Sequence, residues 1–175
     1  LARLQKQLSK KKKGSNRYVK QRLRVAKAHT KVRNVRTHYL HHVANQIVNE
    51  NQVICVEDLN VKRMMAKNKN RRKNKSKESK SSKNYLSKSI GRMSWYTFTK
   101  FLEDKCKLTG RTFQKIGKFY PSSQICSCCG YQNKKIKSLS IREWVCPECK
   151  TSHDRDVNAA KNVLNEGLSL LEKSA

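Results

Sequence analysis

Two C-x-x-C pairs constrain this 175-residue chain more than any other feature: Cys126-x-x-Cys129 and Cys146-x-x-Cys149, with sixteen residues between them. Zinc takes four tetrahedral ligands, and two such knuckles supply four thiolates. The tight turn in each knuckle aims both sulfurs at one ion. Gly130 relieves the turn after the first knuckle, and Pro147 stiffens the second. Between them, Lys134 to Val145 is expected to form a β-hairpin, giving a zinc ribbon. Cys128 sits inside the first knuckle as a competitor, but the spacing favours Cys126 with Cys129; His153 is a weaker alternative ligand. A redox disulfide pair needs only one C-x-x-C. With no ligand position left open, the zinc is expected to be structural and not catalytic. The chain has 7 cysteines, and Cys55 and Cys106 stand alone. That pattern reads as metal binding in a reducing compartment, not as a disulfide framework.

Charge is the second constraint. Lys and Arg number 41 against 12 Asp and Glu, a formal net charge of +29. Such a chain calls for a polyanion partner, most simply nucleic acid, bound in a salt-sensitive way. No apolar run approaches the ~18 residues that span a bilayer, and no secretory signal is evident. An anionic membrane surface stays open as a partner for a basic helix. Residues 1–49 carry 14 Lys or Arg and no Asp or Glu. Gly14-Ser15-Asn16 is a turn signal, and Val19, Leu23, Ala26, Val32, Val35, Tyr39, Val43, Ala44 and Ile47 recur at helical spacing. The expectation is a short helix, a turn and a long amphipathic helix ending near Asn49-Glu50-Asn51. Its basic face is either merely solvated or laid on a phosphate backbone, and uncompensated repulsion favours the second. Candidate nucleic-acid contacts are Lys20, Arg24, Lys27 and Lys31, with Lys62, Arg63 and Arg155 further on.

Val53-Ile54-Cys55-Val56 reads as a buried strand, and it ends in Glu57-Asp58. A carboxylate at the C-terminal end of a parallel strand sits where α/β folds place their sites; taken alone, it reads better as an exposed acidic pair. Residues 62–88 hold twelve basic residues and one acid, Glu78, and are expected to be loop-like. Trp95, Phe98, Phe101, Leu102 and Cys106 share a helical face expected to pack in the core, with Ser94 as N-cap and Gly110 as stop. Arg111 to Gly117 alternates like a second strand. After the knuckles, His153-Asp154-Arg155-Asp156 leads into an amphipathic helix from Val157. One N-cap needs one acid, yet two flank Arg155. A strand-end Glu57 and a helix-start Asp156, with Asp154 less certain, form a candidate hard-oxygen site for Mg2+, the ion that assists phosphodiester hydrolysis in RNase H-like nucleases.

Three strings occur in an order that resembles the TnpB/OrfB family of insertion-sequence proteins, relatives of type V CRISPR effector nucleases. They are Val56-Glu57-Asp58-Leu59-Asn60, the double knuckle from Cys126 to Cys149, and His153-Asp154-Arg155-Asp156-Val157-Asn158-Ala159-Ala160. The resemblance implies that Glu57 and Asp156 are the second and third acidic motifs of a RuvC-like nuclease, and that the cysteines hold its zinc insert. It implies a partial RNase H-like α/β fold. Residues 1–120 would belong to the nuclease, comprising a basic helical hairpin (1–52), a catalytic strand (53–60), a flexible basic loop (61–89) and a helix with a strand (90–120). A zinc ribbon (121–152) and the last nuclease motif with its helix (153–175) would follow. It further implies guide RNA and target DNA as partners, Mg2+ as the catalytic ion, no small-molecule substrate, no membrane and a prokaryotic cytoplasmic setting. The oligomeric state is left open. The family's first acidic motif is expected before residue 1, which makes this chain the latter part of a larger enzyme and inactive alone. The competing readings are a noncatalytic zinc-ribbon nucleic-acid binder and a ribosomal-type zinc ribbon.

Overall fold

The computed structural model describes residues 1–66, 87–138 and 140–174. These fall into two compact units, Leu1–Ile47 and Val48–Ala175. The elements are mixed α/β. Most of the low-complexity segment lies at 67–86, outside the described residues.

The first unit is a helical hairpin of α1 (Ala2–Ser9) and all but the last turn of α2 (Asn16–Glu50). Gly14 takes a positive φ of 84°, which costs glycine little. Ser15 then accepts a hydrogen bond from the Tyr18 N–H at 3.2 Å and caps α2. Gln21 ties the helices together, donating to the Leu4 carbonyl at 3.1 Å and to Gln7 Oε1 at 3.2 Å. The amphipathic expectation for α2 holds only in part. Val25 is buried, but Leu23, Val32, Val35 and Tyr39 are exposed. The helix forms over 35 residues with only part of its apolar side covered, Ala44 and Val48 being buried near its end, and its many Lys and Arg are good helix formers.

In the second unit, β1 (Val53–Glu57) and β2 (Thr112–Ile116) pair in parallel, with Ile54 opposite Phe113 and Glu57 opposite Ile116. Parallel strands need a crossover, and α4 (Trp95–Thr109) lies on it, after the short α3 (Val61–Met65). Helix α4 buries Leu102 and Cys106, while Trp95 stays 39% exposed. It stops at Gly110, whose φ is 67°. The stretch expected to be a loop therefore starts as a helix, because the Asn60 side chain caps α3 by accepting from the Arg63 N–H at 2.9 Å. Helix α5 (Arg155–Glu172) packs across both strands.

That packing depends on Gly167. A Cβ there would run into Cys55 Sγ and would stand 2.9 Å from Cys55 Cβ. Gly167→Ala should gain ~1 kcal/mol of helix propensity and lose ~1–3 kcal/mol to overpacking, so a net loss is expected. Urea denaturation of the variant reads the sign directly, and a gain in stability would show that α5 backs away freely.

The four-cysteine module is built differently from the sequence expectation. Lys134–Lys137 forms a 3-10 turn, not a hairpin strand. The hairpin is β3 (Glu143–Val145) against β4 (Ser152–Asp154), with Trp144 opposite His153, and the second knuckle is its turn. The first knuckle is likewise bracketed by a bridge between Ile125 and Gln132. The physical reason is shared backbone bonding. Cys126 N donates to Tyr131 O and Gly130 N to Cys126 O, both at 2.9 Å. Cys146 N donates to Thr151 O at 2.9 Å and Lys150 N to Cys146 O at 3.0 Å. Each knuckle already reverses the chain, so its own flanks pair and the stretch between knuckles forms no hairpin with itself.

Candidate metal centre and acidic strand end

The four knuckle sulfurs lie within 4.8 Å of one another. Cys126 Sγ is 3.6 Å from Cys149 Sγ, and Cys129 Sγ is 3.6 Å from Cys146 Sγ. A tetrahedral zinc with bonds of about 2.3 Å separates its sulfurs by about 3.8 Å, so the donor set fits a tetrathiolate zinc. The alternatives remain adjacent. His153 Nε2 is 3.1 Å from Cys126 Sγ, and Cys126, Cys128 and His153 form a second group of ligand-like spacing. All seven cysteines are free of disulfides.

The thiols are not equivalent. Burial pushes Cys126 up to about 12. Cys129 is also raised. Hydrogen bonding with the Thr151 side chain and backbone pulls Cys149 down to about 6. Metal must displace the protons that remain. Zinc binding at about pH 7.5 should therefore release protons from Cys126 and Cys129 but not from Cys149. Below about pH 6, Cys149 is protonated as well and zinc affinity falls more steeply. An indicator dye in weak buffer counts the protons: Cys126→Ser should lower the count by about one at that pH, and Cys149→Ser should leave it unchanged.

A buried polar strap fastens this module to α5. Asn158 Oδ1 accepts from the Ser127 N–H at 2.9 Å, inside the first knuckle, and Asn158 Nδ2 donates to Ile125 O at 2.7 Å. Asn162 Nδ2 donates to Ser122 O at 2.8 Å and to Ile125 O at 2.6 Å. Arg155, a candidate nucleic-acid contact in the sequence, is instead buried at 7% exposure. Its guanidinium donates to the carbonyls of Ser138 and Ile141 and to Ser123 Oγ. An arginine that satisfies loop carbonyls needs no phosphate. Sequence reasoning missed the two asparagines as structural residues. The available signal was their i, i+4 spacing on the apolar face of a helix, where asparagine is otherwise unfavourable.

The acidic residues divide by role. Asp154 is the N-cap of α5, accepting from Asp156 N at 2.9 Å and Val157 N at 2.8 Å. Asp156 is freed of that duty; it lies exposed in the first turn, 3.5 Å from Arg142 Nη1. Glu57 ends β1, and Ser122 Oγ donates to its Oε1 at 2.7 Å. Asp58 pairs with Lys118 at 3.2 Å. Among the described residues, Glu57, Asp154 and Asp156 do not form a three-carboxylate group of ligand-like spacing. Lys20, Arg24, Lys27 and Lys31 are exposed along α2, and Lys62 and Arg63 are exposed on α3. No helix among the described residues is long and apolar enough to cross a membrane.

Comparison with known proteins adds a family context. A family described as "Probable transposase" (OrfB_IS605) matches residues 1–69. A family described as "Cas12f1-like, TNB domain" matches residues 95–163. A "Putative RNA-guided DNA endonuclease" of Streptomyces pristinaespiralis is 36% identical over 169 residues, 97% of this chain and 38% of that protein. In Escherichia coli (strain K12), "Putative RNA-guided DNA endonuclease InsQ" is 33% identical over 171 residues, 98% of this chain and 42% of that protein. A "TnpB-like protein" of Acanthamoeba polyphaga mimivirus is 32% identical over 161 residues, 91% of this chain and 27% of that protein. The chain thus spans about two fifths of the length of the two bacterial relatives.

Proposed function

Because the chain belongs to the TnpB/OrfB family of insertion-sequence proteins, we propose that it is the latter part of a transposon-encoded, RNA-guided DNA endonuclease. The observation that carries this reading is the junction of Glu57, at the end of a parallel strand, with the zinc module and α5 through Ser122 and Asn162. In this reading residues 48–174, with the first strand supplied from elsewhere in the protein, form a partial RuvC-like nuclease. Glu57 and Asp156 hold Mg2+, and both offer the hard carboxylate oxygens that ion takes. When bound, Mg2+ stabilises charge on the attacking and leaving oxygens of a phosphodiester. Glu57 is oriented by Ser122, and Asp156 is presented at the start of α5 by the Asp154 cap. The tetrathiolate zinc is structural. Guide RNA and target DNA are the partners, and helix α2 supplies their electrostatic grip through Lys20, Arg24, Lys27 and Lys31, which share one face at i, i+4, i+7 and i+11 spacing. The free cysteines suit a reducing, cytoplasmic setting.

Two experiments separate this from a noncatalytic zinc-ribbon binder. Joining the chain to a segment bearing a first-strand Asp should give Mg2+-dependent DNA cleavage, which Glu57→Ala or Asp156→Ala abolishes. Cleavage retained in both variants would remove these residues from the site. Nucleic-acid binding by the chain itself should weaken with salt. Replacing Lys20, Arg24, Lys27 and Lys31 with Gln should lower the slope of log affinity against log salt by ~3, at roughly 0.7–0.9 per phosphate contact. An unchanged slope would move the interface off this face of α2.

A further inference from the structure

We propose that Ser122 is a positioning residue for Glu57, and that Asn162 and Asn158 set its place by tying it to the first zinc knuckle. The inference rests on the reading of Glu57 as a metal-holding carboxylate. It adds a residue that lies in none of the motifs carrying the family resemblance.

Ser122 is 6% exposed and stands in the 3-10 turn Ser122–Gln124, ahead of the first knuckle. Its hydroxyl has one proton, and that proton goes to Glu57 Oε1 at 2.7 Å. A hydroxyl donating to a carboxylate at this distance makes a charge-assisted bond. Glu57 is the last residue of β1, so its backbone is fixed by pairing while its long side chain has several rotamers. Fixing one oxygen selects among those rotamers and leaves the second oxygen for a cation. Carboxylates that ligate metals are held in this way by an outer layer of hydrogen bonds, whose loss typically costs 10–100-fold in metal affinity or activity.

Ser122 does not hold itself in place. Its carbonyl accepts from Asn162 Nδ2 at 2.8 Å, and the same Nδ2 donates to Ile125 O at 2.6 Å. Asn158 shares the Ile125 carbonyl and receives the Ser127 N–H of the knuckle. Both asparagines are almost fully buried, at 2% and 3% exposure, where each unmade bond is costly. A continuous line of hydrogen bonds thus runs from the knuckle backbone to the carboxylate at the end of β1. The zinc module lies outside the reacting atoms in this arrangement, yet it sets the rotamer of a residue that meets them.

The test uses the joined protein described above, with Mn2+ as the probe. Free Mn2+ is measured by its electron paramagnetic resonance signal, and bound zinc is counted separately. Ser122→Ala should weaken Mn2+ binding by about tenfold and raise the Mg2+ concentration for half-maximal cleavage by a similar factor, with one zinc per chain retained. Ser122→Thr keeps the hydroxyl and should restore both to within about twofold. If Ser122→Ala binds Mn2+ as tightly as the parent while Glu57→Ala has lost it, the positioning role is overturned and the reading of Glu57 survives. Equal weakening in the Ala and Thr variants overturns it too, because the hydroxyl is then irrelevant. Loss of zinc from Ser122→Ala would make this a folding residue instead. If Glu57→Ala itself binds Mn2+ like the parent, the functional reading of Glu57 fails, and this inference with it.

Discussion

The sulfurs of Cys126, Cys129, Cys146 and Cys149 lie within 4.8 Å of one another, so a single tetrahedral metal would cross-link both knuckles. The apolar nucleus of the zinc module is Cys126, Ile136, Trp144 and Cys146, with Ile141 packed against it. Half of that nucleus is cysteine. A module this short has too little burial to order itself without a metal or disulfides. Burial pushes the Cys126 thiol up to about 12, so a bound metal would do more than bridge sulfurs. It would make a buried anion tolerable where burial alone disfavours one. Fastened to the first knuckle by hydrogen bonds are the Ile125 carbonyl, the two asparagines and the Ser122 turn.

The acids illustrate how a scarce residue type is allotted. Two carboxylates flank Arg155 at the start of α5, and the structure gives them different work. Asp154 satisfies the first backbone N–H groups of the helix. Asp156 is left exposed beside Arg142. The intervening Arg155 turns inward and binds carbonyls of the zinc loop. Alternation of exposed, buried and exposed residues over Asp154, Arg155 and Asp156 therefore couples helix capping, loop fastening and carboxylate display within one turn.

Much of this was legible in the sequence where a residue type has a single strong use. Gly14-Ser15-Asn16 reads as a turn and helix start because glycine tolerates positive φ and serine caps. Gly110 reads as a stop for the same backbone reason. The knuckles read as a metal site because the spacing leaves few other uses. Illegible were the cases in which tertiary context decides. Periodicity marks Leu23, Val32, Val35 and Tyr39 as an apolar stripe but does not say whether anything covers it. The Lys134 to Val145 stretch looks like a hairpin until the knuckles are seen to be turns themselves. Arg155 is a charge in a basic chain, and only its carbonyl partners show it as a structural residue. The bond between Ser122 and Glu57 joins residues 65 positions apart, a separation no local pattern encodes.

Helix α5 follows in chain order every other element it touches in the second unit: both parallel strands, the Ser122 turn and β4. Its packing on β1 and β2, its asparagine strap and its cap thus form only after those elements have been synthesised. During translation the strand bearing Glu57 waits, with its apolar surface unclosed, for the helix that covers it. A nascent chain stalled before residue 155 would carry the knuckles and Glu57 with the Ser122 bond but without the asparagine strap that fixes that turn.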